Sequence, residues 1–278
     1  MHPKTLLPSL FLLAGCATSG AAILVADNFT NSTGTGASTV NNTQATGTGT
    51  YSRLYPGTIS SYTIETVTGF GSGNVLTLGD GDSTHARTLN SSTVFSLGSL
   101  STGSVLSLSF DIRFTGTFAA SGTRQFSFGF INRTSATQSS IAYGMVGQDT
   151  GSFRLRASSF NMSTSGTDGG MQIGASTFNT GLVTDTNYNL KLAITKTGDT
   201  SYLLQYFQNG TEIGSTTSDL ASTAGLDINA IGFRWSSPPG VTTHLDNVTV
   251  ELIPEPSSAA LMAAGVLVGC GYRRRMRR

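Results

Sequence analysis

Cleavage of a glycosidic bond needs two carboxyl groups facing each other across it, one giving a proton and one activating water or attacking. Between Ile23 and Ile253 the chain has three glutamates, Glu65, Glu212 and Glu251, and none has an acid two residues away. Asp80-Gly81-Asp82 has that spacing, but in a glycine-rich turn it reads as an exposed loop or a cation site. Nucleophilic catalysis finds no better set. Only His85 and His244 lie in this stretch, with no Gly-x-Ser-x-Gly elbow near them. His85 follows the acidic loop and reads as a loop residue or a member of a metal site. His244 reads as a surface or edge residue beside the last strand.

Metal chemistry has more to work with. Calcium takes several hard oxygens from carboxylates, amides and carbonyls. Asp27-Asn28 opens the body and Asp246-Asn247 lies near its end, so pairing of the terminal strands would bring Asp27 and Asp246 together. Turn-capping by the same side chains is the other reading. For sugar stacking the single tryptophan, Trp235, precedes the loop Ser236-Ser237-Pro238-Pro239-Gly240; it serves either as a stacking platform or as a core residue. Tyr51, Tyr55 and Tyr143 are further loop candidates.

Charge narrows the partners. The 278 residues carry 16 Lys and Arg against 15 Asp and Glu. Lys4 and the five arginines Arg273, Arg274, Arg275, Arg277 and Arg278 lie at the ends. The stretch from Ile23 to Ile253 keeps 10 basic and 14 acidic residues, a net of −4, so no overall basic excess points to nucleic acid. The two cysteines, Cys16 and Cys270, stand in the terminal segments, which leaves the body without a disulfide framework or a cysteine-based zinc site.

The last 25 residues follow a definite order. Pro254-Glu255-Pro256 precedes Ser257-Ser258 and an apolar stretch from Ala259 to Tyr272, together read as a membrane helix over 257–272, before the arginine cluster at 273–278. As a helix those 16 residues would span about 24 Å, short against a hydrocarbon core of roughly 30 Å unless the arginine stems extend it. Arginines on one flank predict a cytoplasmic C-terminus and a body outside. The prolines keep the motif extended. This arrangement closely resembles the PEP-CTERM sorting signal of bacterial exported proteins. The resemblance implies processing near Pro254, Glu255 and Pro256 by an exosortase, a membrane-embedded cysteine protease. The same tail also carries an ice-binding-protein C-terminal domain name, which implies nothing about ice. A plain tail anchor is the alternative.

The N-terminus reads as an export signal over 1–22. Lys4 supplies the positive end, Leu6 to Ala14 the apolar stretch, and Gly20-Ala21-Ala22 small residues for a peptidase. Leu13-Ala14-Gly15-Cys16 also resembles a bacterial lipobox, so cleavage after Ala22 and lipidation at Cys16 both stay open.

The elements that must position these groups are strands. Ser, Thr and Gly number 36, 41 and 34 while charged residues make up 11%. That composition suits Thr-covered strands and Gly/Ser turns. In Val105 to Phe114, Leu106, Leu108, Phe110, Ile112 and Phe114 alternate with Ser107, Ser109, Asp111 and Arg113, which predicts a half-buried strand. Phe126, Phe128 and Phe130 repeat the pattern, as do Leu190, Leu192 and Ile194. Further strands are predicted over Tyr202–Phe207, Glu212–Ser215, Ala230–Trp235 and His244–Leu252, with Asn209-Gly210 as a hairpin turn. The stretch 31–50 (NSTGTGASTVNNTQATGTGT) has one valine and no aromatic and reads as a low-complexity surface loop. A threonine ladder for ice would need a longer regular repeat.

About 12 to 14 strands predict one all-β antiparallel sandwich over 23–253. SLSFDIRF, FSFGF, YLLQYFQNGTEIG, INAIGFRW and HLDNVTVEL resemble the concanavalin A-like (laminin G-like) jelly roll; a galactose-binding-type jelly roll is the runner-up. Either resemblance implies glycan recognition, though a fold does not fix a function. The expected protein is a non-catalytic, exported surface or matrix protein. It would have exopolysaccharide and the processing protease as partners, a membrane helix before processing, and no cofactor unless a structural calcium. A secreted glycan-active hydrolase is the alternative.

Overall fold

The computed structural model describes residues 21–29, 39–40, 51–53, 62–78, 82–88, 95–116, 124–133, 138–149, 152–157, 176–179, 182–219, 227–236 and 241–255. Cys16, Tyr55, Asp80, Pro256, the apolar run 257–272 and the five terminal arginines lie outside them, as does most of 31–50.

Eighteen strands and one 3-10 turn are found among the described residues. The first six strands are β1 (Ala22–Asp27), β2 (Thr39–Val40), β3 (Tyr51–Arg53), β4 (Tyr62–Val67), β5 (Phe70–Leu78) and β6 (Asp82–Thr88). Next come β7 (Phe95–Ser96), the 3-10 turn Leu97–Ser99, β8 (Val105–Gly116), β9 (Arg124–Arg133), β10 (Gln138–Asp149), β11 (Ser152–Ala157) and β12 (Ser176–Asn179). The chain then adds β13 (Asn187–Lys196), β14 (Ser201–Gln208), β15 (Thr211–Asp219), β16 (Asp227–Ile228), β17 (Ala230–Ser236) and β18 (Val241–Ile253).

Two antiparallel sheets hold nearly all of them. The first runs β15-β14-β13-β8-β18-β5-β4, with β1 also paired to β18, and the second runs β12-β11-β10-β9-β17-β6-β3-β2. A short pair, β16-β7, stands apart. Thr39 and Val40, inside the low-complexity stretch, pair with β3, so that stretch contributes a short edge strand.

The core is built by the alternation. Leu106, Leu108, Phe110, Ile112 and Phe114 of β8 are all buried and meet Phe126, Phe128, Phe130 and Phe233 of the facing sheet. Phe110 sits edge-on to Phe126, Phe128 and Phe233 at centroid distances of 5.9, 4.8 and 5.3 Å. Such contacts add roughly 0.5–1.5 kcal/mol each beyond area burial. The β14–β15 hairpin turns on Asn209 and Gly210, both at positive φ, as a tight two-residue turn requires.

Strand β18 organises the first sheet. Along one flank it pairs with β8 for its whole length. Along the other it pairs first with β5 through Thr243 to Leu245, then with β1 through Val248 to Leu252. A bulge between Asp246 and Thr249 joins the two halves. Before it Val241, Thr243 and Leu245 are buried; after it Val248 and Val250 are. One extra residue thus resets the alternation so that both halves keep an apolar face inward. Asn247 takes the strained position at φ 50°, which asparagine tolerates better than most residues.

Candidate functional site

Polar side chains collect on the outward face of the first sheet, around this bulge. Asp111 on β8 accepts hydrogen bonds from both sides. Asn189 Nδ2 on β13 donates to its Oδ1 at 2.8 Å, and Asn247 Nδ2 on β18 donates to its Oδ2 at 2.7 Å. One carboxylate therefore ties three adjacent strands together, with charge-assisted bonds of the stronger kind.

Asp246 is fully buried, and its Oδ1 accepts the Asn247 backbone N–H at 2.8 Å. Gly71 of β5 lies over the same carboxylate, where a Cβ would stand 2.6 Å from Oδ2. Asp27 lies on the neighbouring strand, opposite Val248. Its Oδ1 accepts the Phe29 N–H at 2.9 Å, closing a turn in which Phe29 has φ 55°. The terminal strands do pair, which brings Asp27 and Asp246 into one region, each with a carboxylate oxygen engaged by a local backbone N–H. Among the described residues no group of three His, Cys, Asp or Glu side chains gathers as a metal would require.

His244 is the main correction to the sequence reading. It is buried inside the sheet, not at a surface or an edge. Its Nδ1 lies 2.8 Å from Thr77 Oγ1 and its Nε2 3.0 Å from Thr115 Oγ1. A neutral imidazole has one donor and one acceptor nitrogen, and two hydroxyls satisfy both. Phe70 covers the ring at 6.4 Å. Burial strips water from the imidazolium and holds the pKa below its usual value; Glu65 and Asp185 pull it up less strongly, and Arg113 adds to the lowering.

The turn between β4 and β5 folds over this cluster. Arg113 Nη1 donates to Thr68 O at 3.3 Å and Asn187 Nδ2 to Gly69 O at 2.7 Å. Arg113 Nη2 also reaches the exposed Asp185 carboxylate at 3.5 Å, a contact screened enough to contribute little. The cluster is a polar seam that ties the hairpin to the sheet.

A second feature lies where β18 leaves the fold. Ile253 is 38% exposed, Pro254 is half-buried and Glu255 is exposed. The Glu255 N–H donates to Ser104 Oγ at 3.3 Å, and a side chain at Gly103 would press on Glu255. The Gly103-Ser104 loop is itself clasped by Lys196. Gly103 N–H donates to Lys196 O, Lys196 N–H donates to Ser104 O, and Nζ donates to Gly98 O and Leu100 O at 2.7 and 2.8 Å. Nothing in the sequence marked this loop as the neighbour of the Pro-Glu-Pro motif. Only the register of β8 against β18, Val105 opposite Ile253, reveals it.

The remaining candidates are scattered. Trp235 stands on β17 opposite Phe126 and Ser83. Tyr51 and Tyr143 lie on β3 and β10, in strands and not in loops. Asp82 begins β6, and His85 in that strand is paired in register with Phe233 of β17 and Arg53 of β3.

No family model matches the chain, and no curated protein matches it. Solved structures do. Peanut lectin is 8% identical with a TM-score of 0.47, covering 82% of this chain and 97% of its own. The alginate lyase Aly36B is 17% identical with a TM-score of 0.42, covering 83% and 97%. The carbohydrate recognition domain of Emp47p is 11% identical with a TM-score of 0.45, covering 70% and 86%. The chain is all-β with antiparallel sheets, and its neighbours among solved structures are lectin- and lyase-like jelly rolls.

Proposed function

We propose that this chain is an exported β-sandwich delivered to the cell surface or matrix by a PEP-CTERM-type C-terminal signal. There the sandwich associates with exopolysaccharide without turning it over. The observation that carries the reading is the handover at Ile253. The longest strand ends there, and the sorting motif begins at the next residue with Glu255 exposed. Cleavage near Pro256 would leave every pairing of β18 with β8, β5 and β1 intact. A protease acting there would cut beyond the last strand pairing.

The two ends of the body also emerge together, Ala22 opposite Leu252. The export leader and the apolar run 257–272 would therefore both lie at one end of the sandwich, with the rest projecting from the membrane. An exosortase acting at the outer face would release it. The non-catalytic part of the reading is supported by the uses of the polar groups: Asp111 is held by two amides and His244 by two hydroxyls.

Cell fractionation in a host carrying the processing enzyme tests this. The unaltered protein is expected in the surface or matrix fraction, and replacement of Pro254, Glu255 and Pro256 by alanine should trap the chain in the membrane. Equal distribution of the two forms would defeat the reading, as would steady release of reducing ends from polysaccharide incubated with the protein.

A further inference from the structure

The chain stays attached to the body beyond the point where strand β18 stops pairing. The last backbone pair with β8 is Ile253 opposite Val105. Pro254 has no N–H to extend the ladder, yet the next residue is still held: the Glu255 N–H donates to Ser104 Oγ at 3.3 Å. Ser104 is buried and Pro254 half-buried. Gly103 makes the other half of the seat. It has φ 94°, in the left-handed region that favours glycine, and a Cβ there would stand 3.0 Å from Glu255 Cγ and 3.3 Å from Cδ. The stem of Glu255 therefore lies across a residue with no side chain of its own.

The seat is fixed from behind. The buried Lys196 ammonium donates to the carbonyls of Gly98 and Leu100, and the Lys196 backbone bonds to Gly103 and Ser104. Moving the loop would leave a buried cation without acceptors, which costs more than breaking one neutral hydrogen bond. When Glu255 and the loop part, the motif is the side that moves. Docking also shortens the chain available beyond the body. Two residues lead from Glu255 to position 257, where the predicted membrane helix begins, at most about 7 Å of extended chain. Four lead there from Ile253, about 14 Å.

We propose that the Gly103-Ser104 loop is a built-in restraint on processing, which holds Pro254 and Glu255 docked on the folded body until they lift away. The inference rests on the sorting reading above and names how that same site is regulated. A protease grips an extended substrate through its main-chain groups, and the Glu255 N–H is already committed to Ser104. The enzyme's apparent affinity for the motif is scaled down to the undocked fraction. Lifting away frees that N–H and doubles the reach between sandwich and bilayer. Loss of one hydrogen bond of ordinary strength should raise the undocked fraction about two- to tenfold.

Two readouts on the full-length chain separate the restraint from the sorting itself. In detergent, amide hydrogen exchange followed by NMR reports Glu255 alone, because its neighbours Pro254 and Pro256 carry no backbone N–H. That amide should be protected in the parent and exchange about two- to tenfold faster in Ser104→Ala, while the exposed Ser101→Ala leaves it unchanged. In a host carrying the processing enzyme, pulse–chase should show the precursor maturing faster by a similar factor in Ser104→Ala. Gly103→Ala, checked by circular dichroism, should speed maturation too by pushing Glu255 off its seat, and it keeps the test valid where Ser104→Ala does not fold. A Glu255 amide that exchanges at the free-peptide rate in the parent would overturn the proposal. So would slower maturation in Ser104→Ala, since the loop would then present the motif instead of withholding it. Cleavage at one rate in parent and variants defeats the restraint alone; no cleavage in any of them defeats the sorting reading and the restraint with it.

Discussion

Thr243 offers a test whose sign runs against intuition. It lies fully buried on β18, opposite Leu78 on one neighbour and Phe114 on the other, and its Oγ1 has no hydrogen-bond partner among the described residues. A hydroxyl taken out of water with nothing to bond costs about 1–3 kcal/mol by protein mutational measures. Thr243→Val keeps the branched shape and removes that cost. It should therefore stabilise the protein by about 1–3 kcal/mol. At the 2–4 °C per kcal/mol expected of a domain this size, Tm would rise by roughly 2–12 °C. Thr243→Ser, which keeps the hydroxyl and loses the methyl, should instead cost about 1 kcal/mol. Thermal and urea unfolding of the three proteins decides the matter. If valine destabilises while serine is neutral, the hydroxyl has a partner and the reasoning is wrong.

Phe110→Ala should cost about 3–5 kcal/mol, because Phe110 bridges the sheets to three phenylalanines; a loss under 1 kcal/mol in urea unfolding would mean the sheets do not meet there. Burial holds the folded-state pKa of His244 below the usual value of about 6.5. Its contribution to stability is complete above that value and is lost as pH falls from there through the folded-state pKa. The fall in urea midpoint from pH 7.5 to pH 5 should then be smaller in His244→Gln than in the parent, and an equal fall would refute it. Since Asp27 and Asp246 each engage a backbone N–H, Tm should be the same in chelator and in calcium; a calcium-dependent rise removed by Asp246→Ala would reveal a shared ion.

Strands with one buried face were legible because their alternation is local. Leu106 to Phe114 and Phe126 to Phe130 read correctly from the order of residues alone. His244 did not, because its burial depends on Thr77, Phe70 and Thr115, the first two more than 160 residues away in the chain. The bulge at Asn247 was equally hidden. It keeps two apolar half-strands in phase, and only the pairing with β8 shows where the phase changes. The carboxylate clasp at Asp111 draws its two amides from strands far off in sequence, so no motif could announce it.

The central claim is that β18 hands the sandwich to a removable sorting tail. Mass spectrometry of the mature protein, from a host carrying the processing enzyme, tests it most directly. The account predicts a C-terminus close to Pro256 and no peptide from the arginine tail. Recovery of intact protein ending at Arg278 would contradict it and leave a simple membrane anchor in its place.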